Sequence, residues 1–379
     1  MSLLPTNRDC SPMAFRKEPP FTHGTLPKTA VVLVNLGTPD EATTPAVRRY
    51  LKQFLSDHRV VEIPRAVWWF ILNLIILPFR SSKSAAKYAS IWTKEGSPLK
   101  VHTQKQATLL RGALGERGHQ VGVVMAMRYG SPSLPEVLDR LQAEHCTRVL
   151  ILPAYPQYSG TTTASINDAV FEHYAQVRNV PELRFIRNYH DHPGYIAALR
   201  DSVHKHWEAN GRGDMLVMSF HGVPKRTLML GDPYHCECHK TARLLATELG
   251  LTPKQYMVTF QSRFGKAEWL QPYTAPTLQQ LAQGGLKRVD VMCPGFTSDC
   301  LETLEEISME ARHDFVQAGG REFHYIPCLN ESTTWVDAMA DVAEQHLQGW
   351  PTLLSTAQRE AVKQDVEAGR ANAEKLGAV

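Results

Sequence analysis

The chain has 379 residues, enough for roughly two to three domains and a sizeable core. Apolar residues make up 43% and charged residues 21%, and 41 basic against 38 acidic side chains leave a net charge of +3 with no basic run. Disorder, collagen and an integral-membrane bundle are excluded, and no concentrated positive face is available for nucleic acid. Seven cysteines (Cys10, Cys146, Cys236, Cys238, Cys293, Cys300 and Cys328) are odd in number and scattered, which argues for reduced thiols in a cytoplasmic protein.

Residues 1–28 carry no apolar segment followed by a small-residue cleavage site, and read as a mobile leader. Short β-branched runs then alternate with helical patterns. The runs are Thr29–Gly37, Val121–Tyr129, Arg148–Tyr155 and Leu183–Tyr189 and, after a helix-like stretch at 193–209, Met215–His221, Tyr256–Gln261, Arg288–Pro294 and Phe323–Pro327. This pattern predicts an α/β protein of two similar doubly wound, parallel-sheet (Rossmann-like) lobes with a seam near residue 190. The lobes are assigned to 29–190, with a hydrophobic lip at 64–98, and to 191–330. Residues 331–379 read as C-terminal helices packing back on them.

Ligands of open parallel sheets sit beyond the carboxyl ends of the strands. The loops there carry no G-x-G-x-x-G, no phosphate-cradling G-x-x-x-x-G-K-[ST] and no G-x-S-x-G elbow, so nucleotide and serine-hydrolase chemistry drop out. They do carry polar and aromatic residues, in NLGTPD, MRYGSPS, PAYPQYSGTTT, SFHGVPKR, TFQSRFG and CPGFTSDCLETLEE.

His221 ends a strand and precedes a glycine. A neutral imidazole there can take a proton or bind a first-row metal, though a satisfied structural histidine is the commoner case. Asp299, Glu302 and Glu306 fall at i, i+3 and i+7, one face of an α-helix, fit to pass protons or guide a cation; helix capping is the plain alternative. Val67–Phe79 is thirteen residues, short of the about 20 that span a bilayer. It is apolar all round except Asn73, and is followed by Arg80, Lys83 and Lys87. An exposed lip around an apolar ligand, or a membrane-surface patch, is expected over a buried helix. His235-Cys236-Glu237-Cys238-His239 is dense in metal donors, but a zinc or iron–sulfur site needs four and C-x-C supplies two.

Together, NLGTPD, SAAKYASIWTKEGSPL, MRYGSPS, AYPQYSGTTT, SFHGVPKR…GDPY, TFQSRFG…WLQPYT and GFTSDCLETL, in this order from about residue 29 to 345, resemble the ferrochelatase family. The resemblance implies two lobes around a porphyrin cleft and a lyase-type metal chelatase. Its reaction would insert Fe2+ into protoporphyrin IX to give protoheme, the terminal step of heme biosynthesis. It puts the family's histidine at His221 and its principal glutamate at Glu302, read as metal-binding and catalytic groups; with the acid row beside it, Glu302 together with Asp299 or Glu306 is expected to act as proton relay. Porphyrin-lining positions fall on Asn35, Leu36, Arg128, Tyr129, Tyr155, Thr161, Ser262, Trp269 and Phe296. Iron entering from the Arg128/Tyr129 face is the competing route.

Two departures matter. No cysteine cluster follows Cys328, although Cys236 and Cys238 are candidate ligands of a [2Fe–2S] centre such as some bacterial members carry. Cys300 stands where animal enzymes have histidine. The implied partners are protoporphyrin IX, ferrous iron and a peripheral membrane contact. The rival readings are a coproporphyrin or other tetrapyrrole chelatase, and a non-catalytic porphyrin- or heme-binding protein.

Overall fold

The computed structural model describes residues 15–378. Residues 1–14, with Cys10 and half of the expected leader, lie outside the described residues. The other half, 15–27, is laid against the first lobe: the Arg16 amide donates to the Gln176 carbonyl at 2.8 Å, and Gln142 donates to the Glu18 carboxylate at 2.6 Å.

Two separate four-stranded parallel sheets form. The first has β1 (Lys28–Thr38) between β2 (Gly122–Gly130) and β3 (Cys146–Pro153), with β4 (Glu182–Phe185) outside β3. The second repeats that order, with β5 (Met215–His221) between β6 (Tyr256–Gln261) and β7 (Arg288–Met292), and β8 (Glu322–Tyr325) outside β7. All eight expected strands are present, within a few residues of the expected bounds. A central parallel strand is buried on both faces and so reads as an unbroken apolar run. In β1, Val31 and Leu33 enter one core while Ala30, Val32 and Val34 enter the other.

The helices of the first lobe are α1 (Thr44–Ser56), α2 (Arg65–Phe70), α3 (Leu77–Ile91), α4 (Pro98–Glu116), α5 (Leu134–Ala143) and α6 (Thr163–Tyr174). Those of the second are α7 (Pro193–Asn210), α8 (Lys225–Met229), α9 (Tyr234–Glu248), α10 (Thr274–Gln283) and α11 (Arg312–Gln317); α12 (Thr333–Leu347) and α13 (Thr356–Lys375) follow. Two segments are π-helical, Ile71–Ile76 between α2 and α3, and Glu302–Ala311 leading into α11.

The largest core runs through both lobes. It joins Val31, Leu33, Leu150 and Leu152 of the first sheet to Leu216, Met218 and Phe220 of the second, with α12 packed on α4 and α7. Trp335 of α12 is buried with its ring centroid 5.8 Å from that of Tyr189 and 5.9 Å from that of Tyr195.

The lip is one helical run from Arg65 to Ile91, longer than the apolar stretch alone suggests. Pro78 has no N–H to donate and sits just after the π-helical segment, where the hydrogen-bond ladder changes register. The run has two faces. Trp68, Leu72 and Leu77 are buried against Leu51, Leu55 and Val61, and the Trp68 indole N–H donates to the Leu55 carbonyl at 2.6 Å. Trp69, Phe70, Leu74, Ile75 and Phe79 are more than half exposed.

Candidate active site

In both sheets the chain reverses its order between the first and third strands of the lobe, and such a switch point opens a crevice at the carboxyl ends. The residues just past those ends meet in one cavity of about 350 Å³, within the usual range for small-molecule sites. From β1 come Asn35, Leu36, Gly37 and Thr38; from β3, Tyr155; from β5, His221 and Gly222; and from β7, Gly295 and Phe296. A bond between the lobes fixes two of these ends together, the Thr297 hydroxyl donating to the Ala154 carbonyl at 3.1 Å.

Two glycines are required by close approach. At Gly37, φ is +114° and a Cβ would stand 1.6 Å from the Tyr129 carbonyl oxygen. At Gly222 a Cβ would stand 2.7 Å from the Gln261 carbonyl oxygen, to which the Gly222 amide donates at 2.8 Å.

His221 Nδ1 lies 2.7 Å from the Gly222 carbonyl oxygen. A carbonyl only accepts, so the proton sits on Nδ1 and Nε2 keeps a free lone pair. The ring is flanked by Trp269 and Phe296, with centroids 6.5 and 6.4 Å away. Trp269 is held by a ladder between its loop and the residues after β5: the Leu270 amide donates to the Val223 carbonyl at 3.0 Å, and the Lys225 amide to the Glu268 carbonyl at 2.9 Å.

Glu302 lines the same cavity and is the first residue of the π-helical segment. Gln261, paired with His221 across β5 and β6, donates to the Glu302 carbonyl at 2.8 Å and accepts from Ser219 at 2.8 Å. Around Glu302 stand Tyr50, Tyr88 and Cys300. Burial, and behind it the negative charge of Glu302, pushes the Tyr88 hydroxyl and the Cys300 thiol well above their usual values, so both keep their protons. Tyr50 is raised likewise, by burial, then Tyr88, then Glu302.

The shared face expected for Asp299, Glu302 and Glu306 does not form, because the helix is π-helical from Glu302 onward and Asp299 precedes it. The Asp299 carboxylate is buried and accepts from Tyr325 at 2.5 Å, Asn330 at 2.7 Å and Thr303 at 3.0 Å, and it does not line the cavity. Glu306 lies beyond the lining. It accepts from the Ser262 amide at 2.7 Å and hydroxyl at 2.5 Å, Ser262 being held at φ 64° to aim both. One face further out, Lys87 of α3 donates to Glu305 at 2.9 Å and Glu310 at 2.7 Å.

Of the porphyrin-lining positions carried over from the family, Asn35, Leu36, Tyr155, Thr161, Ser262, Trp269 and Phe296 line the cavity. Arg128 and Tyr129 do not. Both donate to the Asp57 carboxylate, Arg128 at 2.6 Å and Tyr129 at 2.7 Å, and Tyr129 stands behind the lining residue Phe54 with ring centroids 5.3 Å apart. Burial would raise the Asp57 carboxyl, but bonds from Ser165 and Tyr129 hold it below its usual value.

Sequence reading passed over the wall supplied by α1 (Tyr50, Leu51, Phe54 and Leu55) and the mouth residue Phe264, over whose ring Arg80 sits at 4.7 Å. The available signal was the stripe Val47, Tyr50, Leu51, Phe54 and Leu55 at helical spacing. The buried Tyr155 hydroxyl, in the cavity wall, has no partner among the described residues. The H-C-E-C-H motif is wound on the start of α9, which leaves Cys236 exposed and Cys238 buried. Among the described residues no group of three or more His, Cys, Asp or Glu is placed to hold a metal ion.

A two-lobed, apolar-walled cavity with an imidazole and a carboxylate on its surface is the arrangement of a tetrapyrrole metal chelatase. The ferrochelatase family model matches residues 28–347. A ferrochelatase of Janthinobacterium sp. (strain Marseille) is 73% identical over 97% of this chain and 100% of its own, and that of Herminiimonas arsenicoxydans 70% identical over the same shares. The ferrochelatase of Polaromonas sp. is 66% identical over 90% of this chain and 94% of its own. Among solved structures, SirB from Bacillus subtilis has a TM-score of 0.46 at 12% identity, over 84% of this chain and 95% of its own. The chain belongs to the ferrochelatase family.

Proposed function

We propose that this chain inserts Fe2+ into protoporphyrin IX bound in the cavity, with His221 as the base that removes the inner protons and Glu302 as the carboxylate that receives them. The observation that carries the assignment is the bond from His221 Nδ1–H to the Gly222 carbonyl, which leaves Nε2 as an acceptor in a cavity shared with Glu302.

Free porphyrin carries two inner N–H groups, and its nitrogen lone pairs lie in the ring plane. Iron reaches them from a face only when the ring bends. Walls that fit the bent ring better than the flat one lower the barrier, supplying roughly 1–5 kcal/mol of strain from binding of the periphery. Leu36, Phe54, Tyr155, Trp269 and Phe296 supply such walls. Fe2+ binds all four ring nitrogens as the two N–H bonds break and their two protons leave; His221 takes one proton at a time and Glu302 passes it outward. Glu306, held by Ser262 on the same π-helical segment, would take the proton onward. General-base help of this kind is worth about 10²–10⁴-fold.

Two features support protoporphyrin over coproporphyrin. Arg80 is the one guanidinium among the lining residues and no lysine lines the cavity, which suits a ring with two propionates better than one with four. The helical run that supplies the lining residues Ile76 and Arg80 also carries the exposed apolar residues Trp69, Phe70, Leu74, Ile75 and Phe79. Oxygen-free turnover on the two porphyrins, followed by visible absorption, tests this; a preference for coproporphyrin overturns it.

The same apolar edge, flanked by Arg65, Arg80 and Lys83, supports a peripheral membrane contact at the cavity mouth. No helix among the described residues is long and apolar enough to cross a membrane. Flotation with anionic liposomes tests the contact.

A further inference from the structure

The helix sorts the metal donors of the H-C-E-C-H motif into different directions. His235 and His239, at i and i+4, come together with ring centroids 4.4 Å apart and an interplanar angle of 49°. Both lie against Phe260 of β6, at 5.7 and 6.1 Å. Cys236 is exposed and Cys238 is buried. Neither imidazole lines the insertion cavity.

Most histidines of the chain with a buried or half-buried ring are engaged. His119 meets Thr352 and Glu344, His102 meets Glu331, and His221 meets Gly222. The rings of His235 and His239 have no hydrogen-bond partner among the described residues. Partial burial lowers both below the usual histidine value, and for His239 the neighbouring His235 and Arg243 add to it. Both are therefore neutral at pH 7, with lone pairs available.

We propose that His235 and His239 form a second divalent transition-metal site, a two-imidazole clamp on α9 separate from the iron-insertion cavity. Two histidines four apart on a helix face are a recurring chelating pair. With metal–nitrogen bonds of about 2 Å, a shared ion brings the two ring centroids roughly 4.5–5 Å apart, close to the observed separation. Water completes the coordination, since no third protein donor converges there. Imidazoles without a thiolate or carboxylate suit Cu2+ and Zn2+ rather than Mg2+ or Ca2+, and the nearby Arg243 cation leaves the site to the ions that imidazole binds most tightly. Phe260 backs both rings, so the pair is held in place before any ion arrives.

The probe is Cu2+, added to the tag-free full-length protein carrying His221→Ala, so that the cavity imidazole does not compete. Calorimetry and electron paramagnetic resonance are expected to show one strong Cu2+ equivalent with splitting from two nitrogens. That equivalent is expected to be lost in His235→Gln and in His239→Gln and kept in Cys236→Ser. Binding that survives either histidine change, or that vanishes with Cys236→Ser, overturns the proposal. If a histidine variant fails to fold, the spectrum of the His221→Ala protein still decides, because splitting from fewer than two nitrogens rejects the clamp. In the otherwise unaltered chain, His235→Gln is expected to leave iron insertion unchanged in copper-free buffer.

Discussion

The Gln261 side-chain amide donates to the Glu302 backbone carbonyl at 2.8 Å, tying the strand beside His221 to the first residue of the π-helical segment. The strand beside the one that carries His221 and the backbone that carries Glu302 are thus joined through one buried amide. Gln261→Leu should strand the Glu302 carbonyl and leave the Ser219 hydroxyl with Thr274, 2.8 Å away, as its remaining partner. A loss of about 1–3 kcal/mol in urea unfolding is expected, with iron insertion falling while porphyrin still quenches tryptophan fluorescence. Unchanged turnover would show that the tie does not position Glu302.

His221→Ala should lower the rate of insertion by about 10²–10⁴-fold and leave porphyrin affinity within a few-fold. Stopped-flow absorption for the rate and fluorescence titration for the affinity separate the two. Near-normal turnover would remove His221 as the base.

Gly37→Ala places a methyl group where the Tyr129 carbonyl oxygen already sits, at a φ of +114°. The left-handed backbone alone costs of order 1–3 kcal/mol, and the clash adds to it. A marked fall in melting temperature is expected, whereas Gly231→Ala, with open space around its Cβ position, should cost only its backbone strain.

Lys87 bridges Glu305 and Glu310, and its loss should steepen the dependence of stability on pH. Burial raises the Glu305 carboxyl above its usual value, and Lys87 pulls it back down. With Lys87→Ala the value rises further. A carboxyl raised on folding favours the folded state below its unfolded pKa and loses that contribution as pH climbs through the folded one. The variant should therefore lose more stability relative to the original chain at pH 8 than at pH 4. Urea midpoints at the two pH values check the sign; an equal loss at both would refute it.

The two adjacent tryptophans should behave differently. Trp68 is 8% exposed and bonded to Leu55, so Trp68→Ala should destabilise by about 3–5 kcal/mol. Trp69 is 55% exposed, so Trp69→Ser should leave the melting temperature nearly unchanged and weaken liposome flotation. Indifference of flotation to Trp69→Ser and Phe70→Ser together would argue against a membrane contact.

The strands were legible because a parallel strand buried on both faces must be an apolar run, and TAVVLVNLG or RVLILP can be little else. His221 was legible because such a run stopped on it. The π-helical segment was not. Its acids fall at spacings that suit an α-helix equally well, and the Glu302 carbonyl at its start is bonded from Gln261, forty-one residues earlier, which no local pattern shows. Arg128 and Tyr129 end an apolar strand in the same way as His221, but Asp57, from a distant loop, claims both. The α1 wall carried an ordinary amphipathic stripe, and nothing local distinguishes a stripe that meets a core from one that meets a ligand.

Because a single core passes from one sheet to the other, with Trp335, Tyr189 and Tyr195 packed as a three-ring cluster within it, the halves of the molecule are cross-braced. Bracing of this kind opposes a hinge between the halves. If the proposed insertion holds, the strain that bends the ring would come from the shape of these walls rather than from the halves closing on it.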